Sequence, residues 1–198
     1  MYTIEAAIES GLFSDVMVST DSYDIAEIAR KGGASVPFIR KATLSGDSAT
    51  TVDVAKNCIE YYRGIGIDYE VICLLQPTSP LRKENQISEA YSLFISKGAK
   101  FLASVSECEH SPLWANTIGK DLRMDNFLNK ETRNLRRQDL PKYYRLNGAI
   151  YFAEVAAFLD EFTFLGNNSI AYIMDKKSSV DIDTIEDFLY AEILLNLK

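Results

Sequence analysis

Histidine occurs once in this chain of 198 residues, cysteine three times and proline five times. The one histidine, His110, sits in the polar run Glu107-Cys108-Glu109-His110-Ser111-Pro112, where a structural role is commoner than a catalytic one. Cys58, Cys73 and Cys108 are odd in number and show no paired spacing, so they read as reduced core thiols of a cytoplasmic protein. No apolar run approaches the length of a membrane span, and the chain opens on helical spacing rather than on a signal peptide. No membrane partner is therefore expected. Repeats and low-complexity segments are absent. Net positive charge is absent too: at −7 the chain is not expected to bind nucleic acid in bulk. A small anionic ligand remains open if basic residues gather locally.

What is present is the composition of one soluble domain: 47% apolar and 25% charged residues, enough for a real core. The stretch Val71 to Arg82, VICLLQPTSPLR, organises it. Val71 to Leu75 is an unbroken apolar run and reads as a strand buried on both faces. Pro77 and Pro80 then forbid ladder pairing and helix alike. Polar side chains are thereby presented at the carboxyl end of a central strand, where open α/β sheets bind ligands.

Helical spacing is found at 2–10, with Ile4, Ala7 and Ile8 on one face, and after Asp21-Ser22, with Ile25, Ile28 and Ala29 as the buried stripe. Val16 to Val18 and Ser35 to Ile39 read as short strands, and Arg40 to Asp47 as loop. A helix from about Thr50 to Arg63 turns Val52, Ala55, Ile59 and Tyr62 inward. Another follows Arg82, with Ile87, Ala90, Tyr91, Phe94 and Ile95. Phe101 to Val105, Gly148 to Phe152 and Ile170 to Met174 read as strands, with short helix near Val155 to Phe162 and a last helix from Thr184 to Leu197. The alternation implies an α/β fold with a mostly parallel sheet. It lapses between Ser106 and Leu146, a stretch too long for an ordinary loop and expected to be a lid or an oligomerisation arm. Lys130 to Arg145 holds six basic residues against two acidic ones, a local +4 that a solvated loop would also explain.

Val180-Asp181-Ile182-Asp183 alternates apolar and acidic residues. Extended, it aims Asp181 and Asp183 one way, a pattern suited to magnesium held jointly with substrate phosphates. The same residues also read as a helix capping box, through Thr184 with Asp187 or Asp183 with Glu186. Arg136-Arg137 offers planar forks for carboxylate or phosphate, or surface salt bridges. Asn147-Gly148-Ala149 allows a ligand close to the backbone, or is a simple turn. Gln76 can donate to and accept from a sugar, or cap its loop.

Taken together, LLQPTSPLR, VSTDS, RRQDLPKYYRLNGAIY and SVDIDTIEDFLYAE, in this order and spacing, resemble the bacterial CMP-sialic acid synthetases (acylneuraminate cytidylyltransferases) from Tyr2 to Leu195. The resemblance implies a three-layer, Rossmann-like nucleotidyltransferase domain over 1–198, with 106–146 inserted as a dimerisation arm. It implies transfer of CMP from CTP to a nonulosonic (sialic) acid with magnesium, in a cytoplasmic homodimer. Arg40, Ala49 and Thr51 match cytidine-holding positions. Gln76 and Tyr151 match sugar-contacting positions, and Arg137 the arginine that holds the sugar carboxylate. Asp181 and Asp183 match the metal carboxylates. The region around Phe164 would be reached from the neighbouring subunit. Trp114 departs from the pattern, standing where some members have lysine. Members also carry a first strand and a Gly/Lys-rich loop that cradles the triphosphate; Met1 to Gly11 supplies neither, so the expectation is a chain shortened at its start. That leaves a rival expectation, a non-catalytic member that folds and dimerises. Pseudaminic or legionaminic acid is an alternative sugar.

Overall fold

The computed structural model describes residues 1–46 and 49–197. Asp47, expected in a loop, lies outside the described residues. Helix α1 spans Tyr2–Glu9 and α2 Tyr23–Lys31, the latter capped by Ser22, whose hydroxyl accepts from the Ile25 N–H at 3.3 Å. Helix α3, Thr51–Gly64, starts from a Thr50/Asp53 capping box, and β1, Val71–Leu74, follows. Next come α4, Glu84–Ser96, and β2, Phe101–Glu107. After the excursion come β3, Tyr144–Glu154, α5, Val155–Glu161, β4, Ser169–Met174, and α6, Ile185–Asn196. Each side-chain cap contributes about 1 kcal/mol by satisfying an N–H that the helix leaves open.

The strands form one sheet in the order β1-β3-β2-β4. β3 is antiparallel to both β1 and β2, whereas β4 is parallel to β2. Thus β1, β2 and β4 share a direction and β3 opposes them, so the sheet is mostly but not wholly parallel. Period-2 alternation sorts its faces. Cys73, Leu102, Ile150 and Phe152 pack against Ala6 of α1 and Ile87, Ala90 and Phe94 of α4. Ile72, Leu74, Phe101, Tyr151 and Ala153 pack against Ala55 and Ile59 of α3 and Phe158 of α5. The result is three layers. No helix among the described residues is long and apolar enough to cross a membrane.

Four local expectations need correction. The run Val71 to Leu75 packs against helices on both faces but is not a central strand: β1 is half-buried at all four positions and, among the described residues, pairs with β3 alone at the sheet edge. An apolar run reports what its faces touch and not how many strands flank it. The short strands at 16–18 and 35–39 reduce to one parallel bridge between Met17 and Ser35. In α2 the buried residues are Ala26 and Ala29, while Ile25 and Ile28 are exposed. Both stripes have helical spacing, and the small side chains let α2 approach Ala34 and Val36 closely. The excursion is also shorter than expected, because pairs Val105↔Leu146, Ser106↔Arg145 and Glu107↔Tyr144 draw both its ends into the sheet.

A register shift falls between Ala103 and Val105. Ser104 fills the break: its buried hydroxyl donates to Asn147 Oδ1 at 2.5 Å and accepts from the Ile150 N–H at 2.8 Å. Asn147 Oδ1 also accepts from the Ala149 N–H, and its Nδ2 donates to the Ser179 hydroxyl at 2.9 Å. This buried network ties β2, β3 and the segment leading to Val180 together. Asn147→Ala strands several buried polar groups and is expected to cost about 2–4 kcal/mol in urea unfolding. A loss below about 0.5 kcal/mol, the range of an ordinary surface substitution, would contradict the role given to this network.

Candidate active site

The antiparallel β1–β3 pairing places Leu74 opposite Tyr151. Beyond β1, Gln76 therefore comes level with the start of the buried part of β3. Gly148 there has φ +73°, a left-handed conformation that favours glycine. A Cβ on it would collide with the Gln76 amide oxygen and lie 3.7 Å from Asp181 Oδ2. Three elements thus meet at one residue without a side chain: the proline-bounded loop after β1, the start of β3, and the segment before α6. The Ile182 N–H donates to the Thr78 carbonyl at 2.9 Å and fixes that last segment against the loop.

The alternation read in 180–183 holds. Val180 and Ile182 join Leu81, Ala191 and Leu194 in an apolar cluster, which leaves Asp181 and Asp183 to the other side. The capping box is present as well, but Asp187 makes it: its carboxylate accepts from the Thr184 N–H and hydroxyl and from the Asp183 N–H at 3.2 Å. Capping therefore leaves the Asp181 and Asp183 carboxylates free. Asp181 Oδ1 is buried without a hydrogen-bond partner among the described residues, and Asp183 is exposed. A carboxylate oxygen in that state fits a hard cation or an ordered donor. Burial, and then the Asp181 charge, push the Tyr151 phenol above its ordinary range. The Gln76 amide makes no hydrogen bond with the described residues and is free for a ligand.

Arg40, Ala49 and Thr51 form a second group. Arg40 donates through its backbone N–H to the Thr20 carbonyl at 2.8 Å and through Nε to the Ser45 hydroxyl at 3.1 Å, and its Nη2 lies 3.6 Å from Asp21 Oδ1. The Ala49 N–H donates to the Gly46 carbonyl, and Thr51 is the exposed first residue of α3. No described hydrogen bond joins this group to the Gln76–Asp181 cluster. Arg137 stands apart from both. It is exposed on a short helical turn, Arg137–Asp139, and lines a cavity of about 370 Å³ with Glu107, Cys108, Ser111 and Lys142. Arg136 pairs with Asp139 and Lys142 with Glu107, whereas Arg137 has no ion pair among the described residues. Within one chain, then, Gln76 and Asp181 meet at Gly148, and no hydrogen bond or ion pair among the described residues joins Arg137 to them.

Residues 1–194 match the family profile described as Cytidylyltransferase. The chain belongs to the cytidylyltransferase family.

Among relatives of this cytidylyltransferase, a pseudaminic acid cytidylyltransferase of Campylobacter jejuni subsp. jejuni serotype O:2 is 35% identical over 197 residues, covering 100% of this chain and 84% of the relative. An N-acylneuraminate cytidylyltransferase of Streptococcus agalactiae serotype V is 38% identical over 191 residues, covering 96% of this chain and 45% of the relative. In fold, the cytidylyltransferase resembles CMP:2-keto-3-deoxy-manno-octonic acid synthetase solved with CTP, with a TM-score of 0.68 and 12% identity over 98% of this chain and 86% of that one.

Two features correct or extend the sequence reading of this cytidylyltransferase. Phe164 is buried in its own chain, 5.9 Å from the Tyr151 ring and 4.8 Å from Phe158, so its ring is not presented to a neighbour; Phe162 and Leu165 are the exposed residues there. Arg82 was invisible as a site residue: an arginine at the start of a helical pattern reads as surface, yet it is only 3% exposed. Gly148→Ala is expected to displace Gln76 and lower kcat/KM of the cytidylyltransferase by about 10²-fold, with the fold retained by circular dichroism. Activity within about twofold of the parent would contradict the close approach at Gly148.

Proposed function

We propose that this cytidylyltransferase transfers CMP from CTP to a nonulosonic acid, releasing pyrophosphate. The anomeric hydroxyl oxygen of the sugar bonds to the α-phosphorus, the bond from that phosphorus to the bridging oxygen of the β-phosphate breaks, and the hydroxyl proton is lost. The observation that carries this reading is the convergence of the unengaged Gln76 amide and the Asp181 carboxylate, one oxygen of which is unpartnered among the described residues, on Gly148. The names of the relatives support the same sugar class.

Gln76 binds a sugar hydroxyl through its amide, with Tyr151 beside it. Arg40, Ala49 and Thr51 hold the cytidine, near the capped start of α3. Asp181 and Asp183 would hold magnesium, which when bound supplies positive charge against the phosphates. Holding the sugar carboxylate falls to Arg137, a positioning role. Since no hydrogen bond or ion pair among the described residues joins Arg137 to the cluster of its own chain, this role fits a homodimer in which the arm serves the partner's site. The exposed apolar residues Ile118, Leu122, Met124 and Leu135 on the arm favour such an interface. The reading places the reaction in the cytoplasm.

The test is pyrophosphate release from CTP with N-acetylneuraminic, pseudaminic and legionaminic acids in turn. Turnover with at least one is expected, and none with a neutral hexose. Asp183→Ala should lower kcat by about 10²-fold or more, since it removes charge stabilisation needed as the phosphate bond breaks. Retention of most activity by Asp183→Ala would end the metal role, and no turnover with any of the acids would leave a folding, non-catalytic member of the family.

A further inference from the structure

Arg82 is 3% exposed and has no carboxylate within ion-pair distance among the described residues. Its Nη1 donates to two main-chain carbonyls, Ala149 at 2.5 Å and Gln76 at 3.3 Å. Nε and Nη2 are buried without partners. Burial pulls the guanidinium down to about 10, so it remains charged at neutral pH. A buried, unpaired cation is expensive, and an apolar residue of similar volume would pack there at lower cost. The two carbonyls it holds identify what it does. One belongs to Gln76 itself. The other belongs to the residue after Gly148, the glycine against which the Gln76 side chain lies. Pro77 and Pro80 remove N–H donors from the loop, so continued ladder pairing cannot fix Gln76 to β3. Arg82 supplies that missing link with one nitrogen.

We infer that Arg82 is a positioning residue for sugar recognition, clamping the Gln76 and Ala149 carbonyls so that the Gln76 amide is held over Gly148 in its binding pose. It acts through Gln76 and touches no substrate. The inference rests on the reading of Gln76 as a sugar contact, and the experiment separates the two.

The experiment compares Gln76→Ala, Arg82→Met, Arg82→Lys and the Gln76→Ala/Arg82→Met double variant. KM for CTP and for the accepted nonulosonic acid are measured, with calorimetric Kd for that acid as a readout independent of turnover. Arg82→Met is expected to raise the sugar KM and Kd about tenfold or more while KM for CTP stays within about twofold. In the Gln76→Ala background the same change should add less than about twofold, because the clamp then has nothing to hold in place. Arg82→Lys keeps the charge but cannot match the planar fork, and falls between parent and Met; it also carries the test if the Met variant does not fold. Losses that are equal for both substrates, or that multiply in the double variant, would mean a merely structural arginine and overturn the inference. If Gln76→Ala leaves sugar binding unchanged, the reading of Gln76 fails and the Arg82 inference falls with it. If Gln76→Ala weakens sugar binding and neither Arg82 variant does, only the Arg82 inference falls.

Discussion

The contact of the Gln76 side chain with Gly148, a residue that has none, is the constraint on which the candidate site depends. Positive φ and the absence of a Cβ let a polar loop, a strand and the carboxylate of Asp181 occupy space that any other residue would fill. The three are anchored to one another. The loop is pinned by Arg82 and by the Thr78 carbonyl. The strand is pinned by Ser104 and Asn147, and the acidic segment by Ser179 and the Ile182 N–H. None of these anchors is an ion pair. Surface ion pairs contribute little and tolerate movement, whereas buried, mutually satisfied hydrogen bonds fix geometry.

Strand direction explains why β3 supplies so much of the site. In a wholly parallel sheet every strand would bring only its carboxyl end to the ligand side. Because β3 runs against β1, its early residues, Asn147 to Tyr151, arrive beside the carboxyl end of β1. Alternate residues then divide the work. Tyr151 faces the layer of α3 and α5, while Ile150 and Phe152 lock the strand onto α4. The register shift at Ser104 falls beside the same stretch of β3, as bulges next to active sites do.

Much of this was legible in the sequence because strong local signals agreed with the fold. The two prolines that end the Val71 run, the start of α2 at Ser22 and the alternation of Val180 to Asp183 each appear as read. The reversal of β3 was not legible, since alternating patterns do not encode which way a strand runs. Nor was the edge position of β1 or the phase of α2, where two helical stripes competed and close packing of alanines decided. Among the candidate site residues, Gln76 and Asp181 meet at Gly148, while Tyr151 lies opposite Leu74 on the neighbouring strand. Arg82 was missed because the burial of an arginine depends here on a carbonyl 67 positions away, that of Ala149. Arg137 was legible as a basic residue of the arm, but its place beside Glu107 in a cavity was not, because that contact joins residues far apart in sequence.

The central claim is that the proposed sugar substrate binds at the Gln76 amide beside Gly148. A crystal structure with the CMP-sugar product tests it most directly. The account predicts the sugar ring beside Gly148, with a hydroxyl within hydrogen-bond distance of the Gln76 amide and the phosphate toward Asp181. A product bound with its sugar remote from Gln76 and Gly148 would contradict it.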